Sequence, residues 1–223
     1  MVATGGEKNG TKAGFLLSTT SGEERVLMKT SPRIQREVIE SCKAGDKRAF
    51  AEIVLQSQKK VFNIAYRMLG NSEEAKDLAQ EVFVSVFNSI KNLRDEIKFD
   101  SWLTQITLNH CRNRWKYLKR RRYFDSDSLD DPVETENGGV PRAIYDPSDN
   151  PETLYEKKMT QELVHRGLQK LKEDQRELLV LRDLQGFSYE EMGELLGLPE
   201  GTIKSKLHRA RMDLKQVLGR FVH

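Results

Sequence analysis

The sequence predicts an all-α protein of two small helical domains joined by a flexible acidic linker, the second domain carrying a helix-turn-helix. Three observations predict it. Apolar residues recur at helical spacing from about residue 34 to 118 and again from about 154 to 218. The stretch between them is rich in acids, prolines and glycines. A short capped helix, a tight Gly-Leu-Pro-Glu-Gly turn and a basic amphipathic helix close the chain.

The 223 residues suffice for one medium or two small domains. A net charge of +3 hides strong segregation. Between Arg112 and Arg122 lie seven basic residues and no acid, whereas residues 123–156 hold ten acids and one base, Arg142. The folded parts are therefore more basic than the total indicates. The acidic stretch contains too few large apolar residues to offset the entropy of ordering, so it reads as an extended tether. Its charge is either simply solvated or imitates or repels nucleic acid. Residues 1–30, rich in Gly, Ser, Thr and Lys, read as a disordered tail. The expected organisation is thus tail 1–30, first domain 31–122, linker 123–156 and second domain 157–223, with no internal repeat.

Several classes are disfavoured. No apolar run approaches the roughly 20 residues of a membrane helix, and Phe15-Leu16-Leu17 is too brief for a signal-peptide core. Cys42 and Cys111 lack CxxC spacing and point to a reduced, cytoplasmic protein, with a single disulfide as the alternative. The four histidines are scattered, and no Walker A, GxGxxG or GxSxG motif is present. His110 and Cys111 are adjacent on a helix and point about 100° apart, which is unsuited to a shared metal. No catalytic residue, metal or cofactor is expected.

In the first domain, a helix around Ile34 to Gly45 is followed by one from about Asp46, carrying Phe50, Ile53, Val54, Val61, Ile64, Ala65 and Met68 and ending at Gly70. Asn71 with Glu74 resembles a capping box for the next helix, Ser72 to about Ile90. There Ala75, Leu78, Ala79, Val82, Phe83, Val86 and Ile90 share one face, with Asp77, Gln80, Glu81 and Val84 opposite. That second face is either solvated or docks a partner presenting arginines around a small apolar contact. A helix from about Phe99 then runs into the basic cluster. It has Trp102, Leu103, Ile106 and His110 on one side and Leu108, Cys111, Trp115 and Leu118 on another, interleaved with Asn109, Arg112, Asn113, Arg114 and Lys116. Aromatics with cations suit single-stranded or distorted nucleic acid; the alternative is core tryptophans with a solvated basic face. Trp102 reads as core, while Trp115 is open.

In the second domain a helix from about Leu154 to Leu171 precedes one from Asp174 to about Leu184. Ser188 with Glu191 forms a capping box for Tyr189 to Leu196, Gly197 ends that helix, and a last helix spans about Thr202 to Val217. Ile203, Leu207, Ala210, Leu214, Val217 and Leu218 line its inner stripe; Ser205, His208, Arg209 and Met212 face out, flanked by Thr202, Lys204, Lys206 and Arg211. This is the plan of a helix-turn-helix whose second helix enters the major groove; a generic helical hairpin is the alternative.

Together these residues resemble the extracytoplasmic-function group of sigma-70-type RNA polymerase sigma factors, over about residues 33–220. Asp77-Leu78-Ala79-Gln80-Glu81-Val82-Phe83 is similar to that family's DLxQExF signature. The resemblance implies that Asp77, Gln80, Glu81 and Val84 dock core RNA polymerase, on the clamp helices of its largest subunit. Phe99 to Ile106 with Asn109 is similar to the F-x-x-W-L-x-x-I-A-x-N segment, with Thr107 replacing the usual alanine. By that likeness Asn92, Leu93, Arg94, Lys98, Asn109, Arg112, Asn113, Arg114, Trp115, Lys116 and Lys119 contact the −10 element and capture an unpaired base. Gly186 to Met192 and Gly201 to Arg211 resemble the −35-reading region, which places Thr202, Lys204, Ser205, His208, Arg209 and Arg211 on DNA; His208 stands where other residues are common. The resemblance further implies contact with the flap of the second-largest subunit, an anti-sigma factor as partner, and a monomer when free. An ordinary helix-turn-helix regulator of duplex DNA is the alternative. It requires neither the DLAQEVF face nor the tryptophan-basic helix.

Overall fold

The computed structural model describes residues 34–125 and 151–221. The tail and most of the acidic linker lie outside them. Eight α-helices form the described chain, with no strand among the described residues. They are α1 (Arg36–Lys43), α2 (Lys47–Leu69), α3 (Ser72–Ser89), α4 (Phe99–Asp125), α5 (Pro151–Gln169), α6 (Glu173–Leu179), α7 (Tyr189–Leu196) and α8 (Glu200–Gly219). Two helices run further than expected: α4 ends at Asp125 and α5 begins at Pro151, both inside the stretch expected to be linker. Pro at a first helical position costs nothing, because that N–H would have no intrahelical partner.

The helix ends follow local chemistry. Asp46 caps α2 by accepting from the Arg48 N–H at 2.8 Å. Gly70 closes α2 in the left-handed conformation at φ 83°, a region other residues rarely adopt. Asn71 caps α3 by accepting from both Glu73 and Glu74 N–H. The reciprocal half of the expected box is absent, because Glu74 turns its carboxylate to Arg114 at 2.6 Å. The Ser188–Glu191 box is complete in both directions. Instead of one helix to Leu184, α6 passes into a π turn at Val180–Leu184, where Gln185 N–H reaches back five residues to the Val180 carbonyl at 2.9 Å.

Ile39, Ile53, Val61, Ile64, Leu78, Val82, Val86 and Leu103 from α1–α4 and Leu181, Met192, Ile203, Leu207 and Leu214 from α6–α8 belong to one continuous buried cluster. Trp102, expected in the core, is half-buried and packs against it beside Phe99. Cys42 and Cys111 are free and buried, so no disulfide joins them.

The two units also pack on each other. His165 of α5 stacks on Tyr66 of α2 with ring centroids 4.1 Å apart. Gln169 donates to the Arg67 carbonyl at 2.8 Å, and Arg67 donates to the Gln161 carbonyl at 3.2 Å. A side chain at Gly70 would collide with Gln169, so this glycine serves both the helix end and the close approach of α5. The buried Arg176 bonds the carbonyls of Leu168, Gln169 and Leu171 in its own unit and that of Met68 across the boundary.

Candidate functional site

On α3 the heptad-like spacing separates the apolar face from the motif face. Ala75, Leu78, Val82 and Val86 are fully buried, whereas Asp77, Gln80, Glu81 and Val84 are exposed, Val84 by 61%. The four residues line one open groove of about 590 Å³ with Ser85, His110 and Arg114. Arg114, expected on DNA, bonds Glu74 and Glu81 at 2.6 Å each and forms the far wall of this groove. His110 bonds Ser85 Oγ through Nε2 at 2.9 Å and places Nδ1 3.7 Å from Glu81. Sequence reasoning did not assign Ser85, His110 and Arg114 to this groove. The available signal was the i, i+4 spacing of His110 and Arg114, which puts both on the side of α4 that meets α3.

Along α4, Asn109, Asn113, Lys116, Lys119 and Arg120 are exposed, and Trp115 is half-buried with Lys119 Nζ 5.1 Å from its ring centre. Arg112 is held by the Asn109 side chain at 3.0 Å and by the carboxylate of Glu177 on α6. In the loop before α4, Asn92 and Arg94 are exposed, and Lys98 pairs with Glu194 of α7 at 2.8 Å. Leu93 differs: its side chain is in the core, so it anchors the loop and presents no surface to DNA in this conformation.

On α8, Ile203, Leu207, Ala210 and Leu214 are buried, which turns Lys204, Ser205, His208 and Arg209 outward together. Thr202 is half-buried and its carbonyl accepts from Ser205 Oγ. Lys204 pairs with Glu200 at 3.1 Å and lies 5.1 Å from the Tyr189 ring centre. Arg211 is turned back to Asp183 at 2.5 Å, where it braces the helix-turn-helix. Of the six residues expected to contact DNA here, Lys204, Ser205, His208 and Arg209 form the exposed face. No cluster of His, Cys, Asp or Glu able to hold a metal occurs among the described residues. Nor does any described helix have the length and apolarity to cross a membrane.

A groove-bearing helix, a basic helix and a helix-turn-helix on one chain suit a protein that binds DNA together with a protein partner. Residues 53–121 match the family model for Sigma-70 region 2 and residues 161–214 that for Sigma-70, region 4. The RNA polymerase sigma-H factor of Pseudomonas aeruginosa is 33% identical, over 82% of this chain and 93% of that protein. The ECF RNA polymerase sigma factor SigW of Bacillus subtilis is 32% identical over 81% and 94%, and the ECF sigma-E factor of Escherichia coli K12 33% identical over 78% and 88%. The fold is similar to CnrH in its complex with the cytosolic domain of CnrY, with TM-score 0.58, 22% identity and coverage of 84% and 98%. It is also similar to the sigma factor RpoE bound to the anti-sigma factor NepR from Bartonella quintana, with TM-score 0.59, 23% identity and coverage of 76% and 96%. The chain belongs to the ECF RNA polymerase sigma factors. It is an alternative sigma factor, a subunit of transcription initiation and not an enzyme.

Proposed function

We propose that this sigma factor docks core polymerase through the α3 groove, captures the −10 element with α4 and the loop before it, and reads the −35 element with the outer face of α8. The observation that carries this is the groove. Asp77, Gln80 and Val84 lie off the buried face of α3, Glu81 being paired with Arg114, and this exposed face fits a helical partner that offers arginines around an apolar contact, as the clamp helices of the largest subunit would. Lys204, Ser205, His208 and Arg209 suit the major groove, and Trp115 among the cations of α4 suits an opened strand. Tethering two weak DNA readers to one polymerase raises the effective concentration of each, so neither need bind tightly alone. The flap of the second-largest subunit is the natural partner of the second unit. An anti-sigma factor, such as accompanies the RpoE neighbour, is the natural inhibitor. The site of action is the cytoplasm, and the free chain is a monomer.

Run-off transcription with purified core polymerase and sheared genomic DNA tests the assignment. Wild-type chain should yield discrete transcripts. Asp77→Arg should lower core affinity by more than about tenfold while leaving the far-ultraviolet spectrum unchanged. Asp77 is the cleaner probe, because Glu81 also balances Arg114. Unchanged affinity of Asp77→Arg overturns the docking assignment.

A further inference from the structure

The loop between α3 and α4 is supported by a side chain from α1 that belongs to no motif. Lys43, the last residue of α1, donates to the Leu93 carbonyl at 2.8 Å and to the Glu96 carboxylate at 2.5 Å. Arg36, two turns earlier on the same helix, places its guanidinium 4.0 Å from the other oxygen of Glu96. Glu96 is only 12% exposed at its side chain, and the Lys43 bond holds its carboxyl below the usual carboxylate range. Turn bonds from Leu93 N–H to the Ile90 carbonyl and from Lys98 N–H to the Asp95 carbonyl set the two ends of the loop. The core holds Leu93 from inside. With its backbone fixed from behind, the loop turns Asn92 and Arg94 to solvent, with Lys98 at its far end.

A site that captures an extruded base must keep its shape before the base arrives; otherwise binding also has to order the loop. A lysine that bonds both a loop carbonyl and a loop carboxylate provides that order. We propose that Lys43 is a positioning residue for −10 recognition, fixing Leu93 and Glu96 so that Asn92, Arg94 and Lys98 are presented as one surface, without itself touching DNA. The proposal rests on the −10 assignment above and adds to it the element that shapes the recognition loop.

The test uses holoenzyme reconstituted from core polymerase and the full chain, on a promoter panel varied only in the −10 element. Opening is followed by the fluorescence of a base analogue in the non-template strand. Lys43→Met keeps the aliphatic stem and removes the donor. It should reduce opening on the preferred −10 sequence about tenfold, the scale of losing a hydrogen bond to a charged group, and flatten discrimination among the variants. Affinity for core and for the −35 duplex should not change. Lys43→Arg should restore discrimination, and Glu96→Gln should fall between wild type and Lys43→Met. Wild-type discrimination in Lys43→Met overturns the proposal. If Lys43→Met weakens core binding as well, Glu96→Gln decides, and unchanged −10 preference in that variant overturns the proposal too. A wild-type holoenzyme that opens no −10 element would instead remove the base-capture assignment beneath it.

Discussion

His165 is a neutral, buried imidazole between two cations. Its ring lies flat on Tyr66, its Nδ1 has no hydrogen-bond partner among the described residues, and burial, followed by the charge of Arg67, pushes its pKa down to about 4. Glu162 and Arg176 are the other charged groups nearby. A histidine whose folded pKa is depressed binds fewer protons folded than unfolded. Its contribution is therefore complete above the unfolded value of 6.5 and is lost as pH falls from there to about 4. The thermal midpoint should drop across that window by the equivalent of at most about 3 kcal/mol. His165→Phe, which keeps the stack, should flatten the profile; an unchanged profile in that variant would show that other groups govern it. At this scale the sequence disclosed which residues face out, as with Asp77, Gln80, Glu81 and Val84, but not what stands opposite. Periodicity orients a side chain about its own helix, so the attachment of Arg114 to Glu74 and Glu81 was illegible until α3 and α4 were docked.

Helix ends were the most legible elements, because capping is decided within four residues. Asn71 satisfies two orphan N–H groups of α3, the helix that lines the groove. Asn71→Ala should destabilise the chain by about 1 kcal/mol, measured by urea unfolding. Polymerase affinity should be unaltered once the chain is folded. The same local logic gave Ser188–Glu191 and the left-handed ends at Gly70 and Gly197. It failed at Leu181, where a helical apolar spacing continues but the backbone widens into a π turn. There Arg182 donates to the Phe187 carbonyl at 2.6 Å and stacks over Tyr189 at the start of the next helix, contacts that apolar spacing does not record. The extension of α4 to Asp125 was missed because composition reports charge, and charged residues are tolerated on an exposed helix.

The two helical units were legible, but their direct packing was not, since no local pattern records which carbonyl Arg176 or Gln169 will reach. Two ion pairs across the boundary differ in setting. Glu177 is 8% exposed at its side chain and holds Arg112, whereas Lys98 and Glu194 are both more than half exposed. Burial raises the pKa of Glu177 although its bond to Arg112 opposes the shift. Truncating each acid should therefore have unequal effects. Glu177→Ala should cost about 1–3 kcal/mol, between the surface and buried cases, and Glu194→Ala less than about 0.5 kcal/mol. Urea titrations of the two variants measure the difference, and equal losses would show that the boundary pairs are energetically alike. The same packing bears on how salt acts on promoter binding. A cation that approaches a phosphate from bulk solvent releases a condensed counterion, and affinity falls with salt in proportion to the number released. On the −10 assignment proposed above, Arg112 and Lys98 would come to DNA from carboxylates of their own chain, so each would exchange one anion for another while leaving Glu177 or Glu194 in need of a counterion. The isolated chain should thus show a shallower salt dependence than its count of basic residues implies.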